Sequence, residues 1–173
     1  MTLKYGNLME NLIFYKSVFI TANAFVKSNG KLVMGRGFAL SCAQEYPELP
    51  AKAGKRISGG IFGILENVHV DIHDPATYGS SDPSERVALG LFQVKFNWWE
   101  DARLDLVEFS TRKLAQLADE NPDEPYALNY PAIGNGKISK ELVEPIIETL
   151  PDNVDVWQFR SRTNYAAWKG GDA

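Results

Sequence analysis

Cysteine is nearly missing from this chain of 173 residues: Cys42 stands alone, so no intramolecular disulfide can form, and a reducing compartment suits it. Histidine is almost as scarce. His69 and His73 have no cysteine beside them, and "NVHVDIHDP" reads as extended, so no metal site is expected. Positive charge is not in excess either. Eighteen Lys and Arg against 22 Asp and Glu give a net charge of −4, which lacks the field of a nonspecific nucleic-acid binder. No apolar run approaches the roughly 18 residues of a membrane span. The opening "MTLKYGNLMENLIFYKSVFI" is broken by Lys4, Asn7, Glu10, Asn11 and Lys16, so it has no secretory apolar core. The expectation is a cytoplasmic protein with no membrane partner. Repeats and low-complexity linkers are also absent from the sequence.

What is present suits one globular domain over residues 1–173, with 45% hydrophobic residues to build its core. Apolar runs read as strands at 17–22, 60–65, 89–95, 126–130 and 154–159. Most are continuously apolar rather than alternating, as in strands covered on both faces. Helical patterns lie between them. "GFALSCAQEYP" stops near Pro47, the segment 101–122 has Asp101 as an N-cap, and "SKELVEPIIETLP" has Ser139 as its cap and Pro145 as a kink. Strand-then-helix alternation predicts an α/β domain with a largely parallel sheet. The segment 66–88, rich in Pro, Gly and Ser, reads as a surface excursion with a short edge strand near "NVHVDI".

Two loops are unusually rich in glycine. "ANAFVKSNGKLVMGRG" and "PAIGNGKIS" each join a strand to a helix, which puts both at the carboxyl edge of the sheet, where ligands bind in open α/β folds. Glycine admits left-handed backbone and close approach of a ligand, and adjacent backbone N–H groups bind anions. Together the loops point to a phosphate-bearing ligand. Neither contains the G-x-x-x-x-G-K-[ST] of a P-loop, nor G-x-G-x-x-G with a following acid. A third feature is Lys95 in "LFQVKFNWWEDA". It reads either as a solvated strand-end charge or as a partly desolvated amine able to act as a nucleophile. Trp98 and Trp99 read as packing or stacking residues, Asn23 as a turn cap or a ligand contact, and Cys42 as a buried small residue.

In their order along the chain, "YGNL", "ITANAFVKSNGKLVMGRGFAL", "FQVKFNWWEDARLDLVEFSTRKL" and "YPAIGNG" resemble four segments of macrodomains. The third is similar to the lysine-containing subgroup that removes ADP-ribose from protein or DNA, including antitoxins of DNA-ADP-ribosylating toxins. The resemblance implies a three-layer α/β/α sandwich with a mixed, largely parallel sheet and an ADP-ribose cleft. It implies adenine contacts from Asn7 and Leu8, with Phe159 as a stacking or packing residue. Asn23 would hydrogen-bond the distal ribose, lined by Gly35, Arg36 and Gly37, and Ile133, Gly134, Asn135 and Gly136 would wrap the diphosphate. Thr21, Ala22, Met34, Pro131 and Ala132 would be further ligand-binding residues. Lys95 matches the lysine that attacks the anomeric carbon.

The chain departs from that subgroup after the second loop, where its Asp is lacking; Ser139 and Glu141 are the nearest substitutes. Gln93 and Val94 replace a Pro-Thr pair, and Asn97 replaces a His. Three functions follow from the resemblance: hydrolysis of an ADP-ribosyl linkage, removal of phosphate from ADP-ribose 1″-phosphate, and ADP-ribose binding without turnover. The implied partner is ADP-ribose or an ADP-ribosylated macromolecule, with modified DNA among the candidates. Lys27, Lys31 and Arg36 would help reach it if they face the cleft mouth. No cofactor is implied, and the sequence is silent on oligomeric state.

Overall fold

Within Ser17–Ala22 the side chains alternate between two apolar layers. Val18 and Ile20 join one cluster and Phe19 the other, so the strand is covered on both faces. The computed structural model describes residues 1–72 and 86–160. Its strands are β1 (Thr2–Tyr5), β2 (Ser17–Ala22), β3 (Ile64–Ile72), β4 (Arg86–Gln93), β5 (Tyr126–Asn129) and β6 (Val154–Gln158). Its α-helices are α1 (Gly37–Glu45), α2 (Leu49–Arg56), α3 (Leu104–Glu120) and α4 (Lys140–Ile147), with 3-10 turns at Leu8–Phe14 and Gly134–Gly136. None of the helices among the described residues is long and apolar enough to cross a membrane.

The sheet order is β1-β6-β5-β2-β4-β3. Every pairing is parallel except β3 with β4. On one face Leu12, Cys42, Leu49 and Ala53 pack over Val18, Ile20, Leu89 and Leu91. On the other, Val107 and Leu114 of α3 and Val143 and Ile147 of α4 cover Phe19, Phe92, Leu128 and Val156. The result is a three-layer α/β/α sandwich on a mixed, mostly parallel sheet, as expected. Gly90 is what lets β4 lie beside Phe19: a Cβ there would stand 2.8 Å from the Phe19 ring and 2.6 Å from the Leu65 carbonyl oxygen.

Several boundaries differ from the expected ones, each for a local reason. The strand expected at 60–65 begins only at Ile64, because Gly59, Gly60 and Gly63 all have left-handed φ values of 84°, 79° and 70°. It runs on to Ile72 and supplies the edge strand expected near 67–72. The strand expected at 89–95 runs from Arg86 to Gln93, so Lys95 lies two residues past it. Asp101 is not a helix cap: α3 starts at Leu104, and Asp105 of its first turn accepts from the Leu106 amide at 2.9 Å. Ser139 is at the N-cap of α4 but makes no capping hydrogen bond, and Pro145 lies inside that helix. Strand β1, helix α2 and the turn Leu8–Phe14 were not expected. His73 and residues 74–85 of the predicted excursion lie outside the described residues.

Candidate ligand cleft and the Lys95 loop

A cleft of about 600 Å³ opens at the carboxyl ends of β5 and β6, walled by Asn129, Tyr130, Gln158 and Phe159. The turn after β1 forms one side with Gly6, Asn7 and Leu8; Gly37 and Phe38 of α1 and Ile133 and Gly134 form others. Gly6 is required at its place. Its φ of 140° is one that side-chain-bearing residues rarely adopt, while a Cβ would make only ordinary contact, at 3.4 Å, with the Trp157 ring, itself a cleft wall. Trp157 is fixed by a chain of polar contacts. Its Nε1 donates to Tyr15 Oη at 2.8 Å, Tyr15 Oη donates to Asp155 Oδ2 at 2.7 Å, and Lys4 Nζ pairs with that carboxylate at 2.9 Å. Asn7 caps the 3-10 turn: its Oδ1 accepts from the Met9 amide at 3.1 Å and its Nδ2 donates to Glu10 Oε1 at 3.3 Å. Phe159 is 70% exposed, leaving a ring face open at the cleft rim.

The two glycine loops meet at this cleft. Gly37 has φ 57°, and a Cβ on it would lie 4.0 Å from Asn135 Nδ2. The second loop is tightly wound: Ala132, Gly134 and Lys137 have φ values of 65°, 67° and 57°. It closes on itself through Ile138 N–H to the Ala132 carbonyl at 3.0 Å and Lys137 N–H to that of Gly134 at 3.1 Å. Gly136 is buried against Ala102, where a Cβ would come within 2.9 Å of the alanine Cβ. Gly30, by contrast, serves a turn: with φ 81° it closes the bridge between Val26 and Leu32, and Gly54 of α2 packs against its carbonyl.

Asn23 is buried, and its side chain staples the first loop. Nδ2 donates to the Val33 carbonyl at 2.9 Å while Oδ1 accepts from the Phe25 amide at 2.9 Å. One amide hydrogen and one lone pair remain beyond those two bonds. Thr21 is tied across the sheet edge to Asn129, whose Oδ1 accepts from the Thr21 amide and whose Nδ2 donates to Thr21 Oγ1, both at 2.8 Å. Ala22 and Met34 are buried, and Gly35 and Arg36 are exposed at the start of α1.

Lys95 lies outside the cleft walls, on the loop that follows β4. Its Nζ donates to the Trp98 carbonyl at 3.2 Å and the Glu100 carbonyl at 3.0 Å. That loop docks on both neighbours: Ala24 N–H donates to the Phe96 carbonyl and Ala102 N–H to the Gly136 carbonyl, each at 2.9 Å. Partial burial lowers the Lys95 pKa; the carboxylate of Asp101 opposes this, and the cations of Lys137 and Arg36 reinforce it. Glu100 is held elsewhere. Asn97 grips it from its amide at 3.1 Å and its side chain at 2.8 Å, which keeps that carboxyl below its ordinary range. Trp98 and Trp99 are both more than half exposed and stand edge to face at 5.6 Å. Cys42 is buried in α1, which pushes its thiol up to about 12.

No protein-family model and no curated protein sequence matches the chain. Solved structures do. The macrodomain of Thermus aquaticus DarG is 25% identical, with a TM-score of 0.63 over 92% of this chain and 99% of that one. The chain has a macrodomain fold. The macrodomain of Mycobacterium tuberculosis DarG aligns over 92% of this chain and 98% of its own, with 24% identity and a TM-score of 0.60. A Thermosipho africanus DarTG, solved in complex with ADP-ribose, is 14% identical with a TM-score of 0.69; the match covers 91% of this chain and 42% of that one.

Within this macrodomain fold the cleft gathers Asn7, Leu8, Gly37, Ile133, Gly134 and Phe159 from the expected residues. Asn135 faces Gly37, and Gly136 anchors the second loop to the Lys95 loop. Ser139 and Glu141 are exposed at the start of α4 and are not among the cleft walls. Sequence reasoning missed Phe38, Asn129 and Trp157 as wall residues. The position of Asn129 at the carboxyl end of a strand was the available signal, since ligand sites in open sheets gather there.

Proposed function

We propose that the chain binds ADP-ribose in the cleft and hydrolyses an ADP-ribosyl linkage, with Lys95 as nucleophile. The observation that carries the reading is the meeting of both glycine loops and the Lys95 loop at one end of the sheet, joined by Ala102–Gly136 and faced by Gly37–Asn135. The adenine would lie against Asn7, Leu8 and Phe159, the diphosphate against the backbone of Ile133–Gly136, and the distal ribose toward Asn23 and Gly35–Gly37. Backbone amides of a tightly wound glycine turn suit a diphosphate without needing a positive chain. The ADP-ribose complex of the Thermosipho africanus protein supports the ligand class.

In the reaction the Lys95 nitrogen forms a bond to the anomeric carbon as the bond to the linked acceptor breaks. The acceptor leaves with the proton released by the attacking nitrogen. Water then adds to the same carbon and returns the amine. Whether the acceptor is protein, DNA or RNA is decided by assay of each. Calorimetric titration with ADP-ribose, AMP and NAD, followed by mass analysis of material incubated with ADP-ribosylated protein and DNA, tests the reading. Binding of ADP-ribose and release of free ADP-ribose, lost in Lys95→Ala, are expected; undiminished release by Lys95→Ala removes Lys95 from the role.

A second reading, binding without turnover, is favoured by the position of Lys95, Ser139 and Glu141 outside the cleft walls. Micromolar binding with the ADP-ribosyl linkage intact after prolonged incubation selects it. Removal of phosphate from ADP-ribose 1″-phosphate is the third reading, and release of phosphate that survives Lys95→Ala but not Asn23→Ala selects that one.

A further inference from the structure

Lys137, the residue that ends the Gly134–Gly136 turn, reaches across to the Lys95 loop and pairs with Asp101 at 3.3 Å. The two loops are already clamped there by the Ala102–Gly136 backbone bond and the close Gly136–Ala102 packing, so the pair spans a fixed gap. Asp101 directly follows Glu100, whose carbonyl receives Lys95 Nζ. A neutral amine has two hydrogens and one lone pair. Both carbonyls can accept from an ammonium as well as from an amine, so the surrounding charges decide whether a lone pair is left for attack. Four charged groups bear on this choice. Glu100 is committed to Asn97, and Arg36 and Lys137 disfavour a third positive charge. Asp101, and after it Glu100, are the carboxylates that would stabilise the ammonium.

We propose that Lys137 is a positioning residue for Lys95: by holding the Asp101 carboxylate and adding its own charge, it keeps the Lys95 nitrogen available as a neutral amine. This deepens the reading of Lys95 as nucleophile and rests on it. The charge of Lys137, rather than its length, is what the role requires.

The test reads Lys95 directly and does not depend on turnover. The intact protein is acylated with an amine-reactive reagent across a pH series, and labelling at Lys95 is mapped by mass spectrometry. In Lys137→Gln the midpoint for Lys95 rises, with correspondingly less labelling on the acid limb. Lys137→Arg leaves the midpoint near its original place, and adding Asp101→Asn to Lys137→Gln brings it back down. An unchanged midpoint in Lys137→Gln overturns the proposal, whatever the fate of the hydrolase reading. In a turnover assay the acid limb of the pH profile moves up by the same amount. A uniform loss at every pH would mark Lys137 as merely structural and would also overturn it.

Discussion

Gly37 and Asn135 face one another across the mouth of the cleft, one at the start of α1 and the other in the middle of the second glycine turn, with 4.0 Å between the Asn135 amide nitrogen and the place of a Cβ on Gly37. A Cβ on Gly37 would meet only ordinary contact there, but a branched side chain would reach into the cleft that Gly37 lines. Gly37→Val fills it and forces an L-residue to φ 57°, a strain of about 1–2 kcal/mol. Calorimetry should show ADP-ribose affinity reduced at least about tenfold, the loss that 1.4 kcal/mol produces. Retained affinity would place the ligand elsewhere.

A nucleophilic Lys95, as proposed, would act as a free amine, so turnover should rise with pH as its ammonium loses a proton. Burial lowers the Lys95 pKa from 10.5, and the rate should therefore level off below that pH. Lys95→Arg keeps a charge but never offers a neutral nitrogen, so it should bind ADP-ribose and release none from a modified substrate. A pH–rate profile and a binding titration on the same preparations check both statements.

Gln93 is fully buried at the end of β4 and serves three backbone groups. Its Oε1 accepts from the Phe62 and Gly63 amides at 2.8 and 3.2 Å, and its Nε2 donates to the Gly60 carbonyl at 3.0 Å. Gln93→Leu would strand them. A loss of about 2–3 kcal/mol in urea unfolding is expected, since unpartnered buried groups cost about 1–3 kcal/mol each and part of the loop can relax toward water.

Tyr15 links Trp157 to Asp155, and burial raises its phenol pKa well above the usual range; burial likewise raises that of Tyr130, to about 12. Both are neutral in the folded protein at pH values where the unfolded phenols, near 10, have begun to ionise. The unfolded chain then binds fewer protons, so stability is whole below pH 10 and falls as pH rises toward 12. Tyr15→Phe should lessen that alkaline loss while costing about 1–2 kcal/mol at neutral pH, from the hydrogen bonds withdrawn from Trp157 and Asp155. Denaturant titrations at pH 7 and at pH 11 separate the two effects.

The buried strands were legible because apolar runs such as "SVFITA" and "YALNY" are long and sharply bounded, and the loops because glycine clusters mark left-handed backbone. Strand β1, "TLKY", was not. It is a four-residue edge with little apolar content, held by parallel pairing to β6 from the far end of the chain. Helix α2, "LPAKAGKR", hides its few buried residues, Leu49 and Ala53, among Pro, Gly and Lys. At the cleft and beside it, the glycine pattern pointed to Gly37 and strand-end position to Lys95, whereas Asn7 and Ile133 came only from the resemblance to macrodomains. The Lys137–Asp101 pair joins two loops distant in sequence, a closeness that no local spacing records.

Strand β3 closes the sheet on one side, and its pairing with β4 slips between Leu65 and His69, around Asn67 with its left-handed φ of 52°. Such a bulge breaks the regular spacing of outward amide and carbonyl groups that an incoming strand would have to match. Extension of the sheet by a second chain is disfavoured at that bulge.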